Sequence, residues 1–283
     1  MSDFPGGPTP PPPPPMMSGP EGSIPPKTLG EILSAAFNIY KANASKLILV
    51  VAVVVAPLSL IGAFFSGVLF APDKIRVSSV GGQVVFDYAG RNFGGLLLVG
   101  GIGALIAVLI SAVLQAALIR ASAQATIGDP VDVEASYRYG FKRLGSVILV
   151  SLLVGLIVAV GFILLIIPGI IFLVFLSVSI PALIVEGRRG TEAMGRSWNL
   201  VKGHFWHAFA VIIVAAIIVG IISGVIGAIG GNAWFVRWIF TAIAQIVTAP
   251  YAALVSVLLY LDLRARSESL SAETLRRELA PGT

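Results

Sequence analysis

Between residues 46 and 263, the chain consists mostly of six long apolar stretches separated by short polar segments. About 20 apolar residues, at about 1.5 Å each, cross a hydrocarbon core roughly 30 Å thick. The stretches are Leu47–Phe70, Gly95–Ile119, Val147–Ile167, Ile170–Val185, Phe209–Ile229 and Val236–Leu261. The pattern therefore predicts an all-α membrane protein with six transmembrane helices, whose membrane domain covers residues 28–263.

The fourth stretch is short, and only Pro168-Gly169 separates it from the third. Two structures are consistent with this spacing: a tight hairpin of two full crossings, which we favour, and one bent re-entrant pair. The number of crossings is even in both cases.

Amphipathic segments precede three of the stretches. In residues 28–45, apolar side chains recur at helical spacing from Leu29 to Tyr40, and Thr28 with Glu31 has the spacing of a capping box. Such a helix is expected to lie along the membrane interface. The pattern returns before the fifth stretch, where Glu192, Trp198, Asn199 and Lys202 correspond to Glu31, Phe37, Asn38 and Lys41.

A looser copy precedes the third stretch, with an apolar stripe formed by Val133, Tyr137, Phe141 and Leu144. We interpret the three copies as repeats of one unit, an interfacial helix followed by a transmembrane hairpin. The alternative is that any helix before a membrane span has an amphipathic and basic pattern.

Outside the spans, three segments have their own character. Val77–Val80 and Gln83–Phe86, on either side of Gly81-Gly82, predict a small β-hairpin in the first outer loop. Residues 1–27 hold most of the 18 prolines, which predicts a disordered tail with a stiff polyproline II stretch. The tail either binds a groove on a protein partner or has no specific partner. Residues 264–283 are predicted to form a short charged tail.

The composition agrees with a membrane protein. Hydrophobic residues make up 57% of the chain and charged residues 12%, whereas about 25% of a soluble domain is charged. Residues 1–27 lack the apolar core of a signal peptide, so we expect the first span to act as an uncleaved insertion signal. The absence of cysteine excludes disulfides, thiolate metal sites and cysteine nucleophiles.

The basic residues predict the orientation of the chain. If the N-terminus is cytoplasmic, fifteen of the 19 Lys and Arg residues lie on that side, and only Lys74, Arg76, Arg91 and Arg237 lie on the other. This bias predicts a multi-pass protein of the cell membrane with both termini in the cytoplasm. Because these charges are spread over short loops, topology explains the net charge of +5, and we expect no nucleic-acid partner.

One segment resembles a known family. Residues 181–209 contain Pro181, then Glu186-Gly187, then Arg196-Ser197-Trp198, then Lys202-Gly203-His204-Phe205-Trp206. This order resembles the signature of the bacterial membrane-domain family named after glycerophosphoryl diester phosphodiesterase, and residues 26–31 are similar to that family's opening. The resemblance covers about residues 25–265 and implies an actinobacterial type of membrane protein. It does not imply phosphodiesterase activity, because the catalytic barrel of some relatives has no counterpart here.

The sequence predicts no catalytic, cofactor or metal site. The only histidines are His204 and His207, three residues apart, and no nearby carboxylate in the sequence completes a metal set. No charged residue lies at the centre of a span, where ion-coupled carriers place theirs. Gln115 and Gln245 are the polar candidates within the membrane, and we expect them to point inward.

Two functional classes remain. In the first, a non-catalytic membrane protein organises partners or lipid through aromatic and basic side chains at the cytoplasmic interface. The candidate lipid contacts are Arg188, Arg189, Arg196, Trp198, Lys202, Phe205 and Trp206. In the second, a transporter or lipid-handling protein has a cavity between the repeats and a polar track that includes Gln115 and Gln245. The sequence does not indicate the oligomeric state.

Overall fold

The computed structural model describes residues 24–69, 76–80, 83–87, 93–229, 234–268 and 270–279. In this part of the chain, almost every residue is helical. The elements are α1 (Leu29–Leu69), β1 (Arg76–Val80), β2 (Gln83–Asp87), α2 (Phe93–Thr126), α3 (Val133–Leu164), α4 (Ile166–Phe175), α5 (Ser179–Val185), α6 (Thr191–Lys202), α7 (Phe205–Ile229), α8 (Trp234–Ser267) and α9 (Ala272–Leu279).

Six helical segments are long and apolar enough to cross a membrane, as the hydrophobic pattern predicted. They are Leu29–Ser59, Leu105–Thr126, Val133–Leu164, Ile166–Val185, Phe205–Ile229 and Trp238–Ser267. Large aliphatic side chains on these helices, such as Leu152, Leu156, Ile217 and Ile221, remain exposed on the surface of the single chain. An apolar surface of this extent is typical of a protein whose solvent is lipid.

The first helix, α1, consists of two helical pieces that meet at a kink. The kink lies at Asn43, where φ is −119° and ψ is 16°, close to the predicted boundary between the amphipathic segment and the first span. The Asn43 side chain donates to the carbonyl of Ile39 at 3.2 Å. The capping box at the start of α1 is confirmed, because the Thr28 amide donates to the Glu31 carboxylate at 2.7 Å.

The other two amphipathic segments differ from the first. The segment before the third stretch is continuous with it in α3, whereas the segment before the fifth stretch is the separate helix α6. The three segments therefore have three different forms. On α6, Ala193, Met194 and Leu200 are buried, and Glu192 and Lys202 are exposed.

The turn between the third and fourth stretches is not where the sequence placed it. The chain turns at Leu165, which is extended, and Pro168 and Gly169 lie inside the first turns of α4. The physical reason is that proline fits the first turn of a helix, where the amide that it lacks has no intrahelical acceptor. The fourth stretch is also broken, since a turn at residues 176–178 separates α4 from α5.

The closest packing involves α2 and α8, which lie at the centre of the bundle. Tyr260, Leu254 and Leu263 on α8 are fully buried, together with a run of small residues on α2. Small residues let helix backbones approach closely: a Cβ on Gly140 of α3 would lie 3.0 Å from the Val113 carbonyl of α2.

The segment between α1 and α2 contains the two strands. β1 and β2 pair antiparallel, with Val77 opposite Phe86 and Ser79 opposite Val84. Gly81-Gly82, the predicted turn of the hairpin, lies outside the described residues. So do residues 1–23 of the proline-rich segment.

Candidate functional site

Charged side chains gather at one end of the bundle, which we call the charged end. It comprises the turn from Glu186 to Gly190, the last turns of α8, the start of α7, and α9. Gly187 and Gly190 have φ values of +70° and +53°, a conformation that favours glycine. These two glycines let the turn leave α5 and enter α6 within five residues. The side chain of Glu186 is buried there, while Arg188 and Arg189 stay exposed.

Glu186 is the centre of a buried ionic cluster. Its side chain is only 7% exposed. Its carboxylate accepts hydrogen bonds from Arg196 Nε at 2.8 Å, from Tyr260 Oη at 2.5 Å and from Arg188. Arg264 Nε lies 3.6 Å from the same carboxylate. A buried carboxylate needs such partners, because an unpaired buried charge is costly.

Arg196 and Arg264 extend the cluster to the C-terminal segment. Arg196 also pairs with Glu268 at 2.5 Å. Arg264 makes a two-pronged contact with Glu278 on α9, at 2.6 and 3.0 Å. This fork geometry gives specificity as well as energy. The cluster therefore joins the α5–α6 turn, α8 and α9.

These contacts shift the pKa values of Glu186 and Arg196. Burial would raise the pKa of Glu186, but the hydrogen bonds from Tyr260, Arg188 and Arg196 outweigh it and hold the pKa below its ordinary value. Burial would lower the pKa of Arg196, but its pairing with Glu186 and Glu268 leaves it raised. Both groups are thus charged at neutral pH.

Asp262 forms a second cluster. It lies on the other side of α8 from Tyr260 and Arg264, because residues two apart on a helix point in nearly opposite directions. Its side chain is fully buried and accepts from Arg266 Nε at 2.8 Å and from the Lys27 amide at 2.5 Å. His207 Nε2 on α7 lies 2.9 Å from the same carboxylate. This cluster therefore joins the start of α1, α7 and α8.

In the sequence, no carboxylate lies near the two histidines. Asp262 comes close to His207 only in the folded chain. The described residues nevertheless contain no group of three or more His, Asp or Glu side chains placed to hold a metal ion.

A third feature involves Arg120, which is 4% exposed. Its guanidinium lies 4.2 Å from the centre of the Tyr139 ring and donates to the carbonyl of Leu279 at 3.1 Å. Tyr139 Oη donates to the Ile184 carbonyl at 2.9 Å, and Arg143 donates to the Gly187 carbonyl at 2.8 Å. The Tyr139 ring and the Leu279 carbonyl stabilise the Arg120 cation in place of a carboxylate, and the Gly187 carbonyl does the same for Arg143.

The candidate lipid contacts divide into two groups. Arg196 is held inside the ionic cluster, and Arg188 bonds Glu186 from an exposed position. Arg189 and Lys202 are exposed and have no acidic partner among the described residues.

The aromatic candidates pack together: Trp198 stacks on Phe175 with ring centres 4.1 Å apart, and Phe205 lies 5.4 Å from both Phe175 and Trp206. Trp206 itself is 77% exposed.

We call Arg189, Trp198, Lys202 and Trp206 the basic–aromatic surface. Its aromatic members lie at the contacts of α4, α6 and α7, and its basic members flank α6 at either end. Trp198 and Trp206 are exposed at one end of the membrane-spanning segments.

The two intramembrane glutamines do not point into a closed interior. Gln115 and Gln245 are both exposed on the surface of the single chain. The amide oxygen of Gln115 accepts from Ser151 Oγ at 3.3 Å. The buried neighbours of Gln115 on α2 include the small residues Ala112 and Ala116.

Two open apolar grooves lie on α7 and α8. The larger, of about 370 Å³, runs between α1, α7 and α8 and is lined by Leu33, Ser34, Phe37, Tyr40, Ile218, Ile222, Val247, Thr248 and Tyr251. The smaller, of about 280 Å³, includes Ser177, Ala215 and Ser256. Neither Gln115 nor Gln245 lines these grooves.

Comparison of the chain with protein-family models, curated proteins and solved structures found no match. The resemblance carried by residues 181–209 therefore stays a prediction.

Sequence reasoning identified Arg188, Arg196 and the aromatic residues as a group but missed the main contacts of the clusters. Tyr260, Asp262 and Glu278 had no local pattern that marked them as partners. A usable signal was the charge of Asp262, Arg264 and Arg266 at the end of an apolar helix, because charges there need partners or water.

Proposed function

We propose that this chain is a non-catalytic protein of the cell membrane that organises anionic lipid, or a partner held next to it, at its cytoplasmic face. The observation that carries the proposal is the basic–aromatic surface. Most cations of the charged end are used in contacts within the chain, whereas Arg189 and Lys202 are exposed at the two ends of α6, the helix that carries Trp198.

The chemistry of this surface fits a phospholipid headgroup. Indole rings favour the depth of the headgroups, and basic side chains there attract the anionic lipids of the cytoplasmic leaflet. The bias of fifteen basic residues against four supports a cytoplasmic location for the charged end. Helix α6 would then lie along the interface, with its buried side against the bundle and its exposed side towards headgroups.

Three finer hypotheses belong to the same proposal. The amphipathic segments at the starts of α1 and α3 are interfacial elements of the repeated unit to which α6 belongs. The chain is a member of the membrane-domain family that residues 181–209 resemble. The proline-rich tail, in this proposal, offers a polyproline II segment to a soluble partner.

The proposal is tested with the full-length protein purified in mild detergent and reconstituted in nanodiscs that contain phosphatidylglycerol and phosphatidylcholine. Lipids that remain bound are counted by native mass spectrometry. The variant Arg189→Gln/Lys202→Gln is compared with Arg276→Gln/Arg277→Gln, which removes the same charge from exposed positions on α9.

Since each basic residue at an anionic surface contributes about 1 kcal/mol, the first variant should bind phosphatidylglycerol roughly 10- to 30-fold more weakly than the wild type. The control should change little. Equal losses in both variants would point to net charge rather than this surface, and unchanged binding in the first would refute the proposal.

A second candidate function, lipid handling, is favoured by the groove between α1, α7 and α8. Its lining is apolar except for the hydroxyls of Ser34, Tyr40, Thr248 and Tyr251, which suits an acyl chain better than a polar substrate. Transfer of a fluorescent phospholipid between leaflets of proteoliposomes tests this candidate. Filling the groove with Ser34→Phe should then slow the transfer.

A further inference from the structure

The helical hairpin formed by α3, α4 and α5 begins and ends at the charged end. Tyr139 Oη of α3 donates to the carbonyl of Ile184 in α5 at 2.9 Å. Arg143 donates to the carbonyl of Gly187 at 2.8 Å. The two arms of the hairpin therefore start at the same level, and its tip lies at Leu165, where α3 ends.

The arms are about as long as the hydrocarbon core is thick. From Arg143 to Leu164, α3 rises about 30 Å at 1.5 Å per residue. Because a bilayer with its headgroups is about 40–45 Å thick, the hairpin ends short of the far water.

The tip has the chemistry of a segment in hydrocarbon. Ile163 is 83% exposed, and the next four residues, Leu164 to Ile167, are each about 70% exposed. From Leu152 to Leu176 the sequence contains no charged residue and no Ser, Thr, Asn, Gln or His. The other two connections on that side contain polar residues by sequence, with Asp73, Lys74 and Arg91 in one and Asn232 in the other.

The turn at the tip satisfies part of its backbone by itself. A chain in hydrocarbon must satisfy its own backbone groups. The Leu165 amide donates to the Gly161 carbonyl at 3.0 Å, and the Gly169 amide donates to the Leu165 carbonyl at 3.3 Å. Pro168 has no amide hydrogen, so it removes one donor that the start of α4 would leave without an acceptor.

Two glycines close the turn. A Cβ on Gly161 would lie 2.9 Å from the Cα of Gly169, and a Cβ on Gly169 would lie 2.5 Å from the Phe162 ring. The arms are therefore in backbone contact directly below the tip, and a wider loop with solvated polar groups is absent from this turn.

From these observations we infer that the α3–α4 hairpin is re-entrant: its tip ends in the acyl chains of the far leaflet, and both arms return to the charged end. The occupant of the exposed apolar tip is bilayer hydrocarbon. The chain then crosses the membrane fully four times, with α1, α2, α7 and α8. This inference does not depend on the lipid-headgroup proposal.

The natural lack of cysteine makes the test direct, since single cysteines can be placed in the full-length chain without removing any. Leu165→Cys places the thiol at the tip, where leucine is already exposed. Gly82→Cys marks the outer loop, and Glu273→Cys marks the charged end on α9. Intact spheroplasts and inverted membrane vesicles are treated with a membrane-impermeant maleimide, and then all thiols are counted after denaturation in SDS.

We expect Gly82→Cys to label from one side and Glu273→Cys from the other, while Leu165→Cys labels about tenfold or more slowly from both sides, because the hydrocarbon excludes the polar reagent. Full labelling in SDS shows that the protein is present. If Leu165→Cys labels from the side of Gly82 as fast as Gly82→Cys, the hairpin crosses the membrane and the inference is refuted. Labelling from the side of Glu273 at the rate of Glu273→Cys refutes it as well, since the tip would not be inserted.

A nitroxide attached to Leu165→Cys gives a second measurement that does not depend on reagent access. In the inferred arrangement, its spin relaxation responds to oxygen, which concentrates in hydrocarbon, and little to a water-soluble nickel complex. The reverse response would place the tip in water and overturn the inference.

Discussion

Replacing Glu186 with glutamine removes a buried negative charge from the charged end while keeping the size of the side chain. The carboxylate now faces Arg196 and Arg264 and accepts a hydrogen bond from Tyr260. The glutamine oxygen can still accept from Tyr260, but its amide group cannot balance the two guanidinium charges.

The expected loss of stability depends on the ion pairs that Arg196 and Arg264 keep in the variant. Arg196 retains Glu268, and Arg264 retains Glu278, so each loses about 0.5–1 kcal/mol rather than the 3–5 kcal/mol of a fully broken buried pair. A hydrogen bond to a charged acceptor is about twice as strong as a neutral one, so the Tyr260 contact loses about 1 kcal/mol. Arg188 is half-exposed and contributes little. The expected loss of stability is about 2–3 kcal/mol.

Thermal unfolding of the purified protein in detergent, followed by tryptophan fluorescence, measures this loss. At about 2–4 °C per kcal/mol, the midpoint should fall by roughly 5–10 °C. Glu134→Gln is the matched control. Its ion pair with Arg138 is exposed on both sides, so removing it should change stability by less than about 0.5 kcal/mol.

The effect should also depend on pH. Because the pKa of Glu186 is held below its ordinary value, the charged carboxylate stabilises the fold at every pH above about 4.5, and this contribution is lost as the pH falls through the lower folded pKa. The difference in midpoint between wild type and Glu186→Gln should therefore be constant near neutrality and shrink in acid. A variant as stable as the wild type at pH 7, or a difference that grows in acid, would refute the reasoning about this cluster.

Three further changes are expected to have measurable effects in the same unfolding assay. Gly161→Ala should destabilise the hairpin by about 1–3 kcal/mol, because its Cβ would meet the backbone of the opposite arm, whereas Gly145→Ala, in open space, should be neutral or slightly stabilising. Leu275→Ala should lower the stability by about 2–4 kcal/mol, because this side chain of α9 is fully buried. Glu273→Ala, at an exposed position of α9, is the control. An unchanged stability of Leu275→Ala would show that α9 does not pack on the bundle. Tyr139→Phe should lower the stability by about 1 kcal/mol, because the hydrogen bond of the hydroxyl is lost. Tyr139→Leu should lower it clearly more, because it also removes the ring beside Arg120. Equal effects of the two variants would contradict the cation–π contact.

Much of the helical architecture follows from local pattern. The six spans, the capping box at Thr28 and Glu31, and the break between the third and fourth stretches are visible because each depends on residues that are close in sequence. The exact turn was misplaced from Leu165 to Pro168-Gly169, because a proline can either end a helix or lie in its first turn. The end of the first amphipathic segment was predicted within a few residues, since the backbone leaves the helical conformation at Asn43.

The structure of the C-terminal segment was not predictable from its local sequence pattern. Residues 264–283 have the composition of a solvated charged tail, yet Leu275 and Leu279 are buried and Glu278 holds Arg264. The segment is too short to form a core of its own. Its structure depends on the surface that the bundle offers.

The sequence by itself determined that the chain belongs in lipid, how many apolar helices it has and where its basic residues concentrate, because hydropathy and helical spacing act over about 20 neighbouring residues. Only the tertiary structure decided which charges neutralise one another. Glu186 meets Tyr260 across 74 positions, and Lys27 meets Asp262 across 235. Pairing of buried charges depends on distances of a few ångströms between side chains, and those distances exist only once the helices are packed.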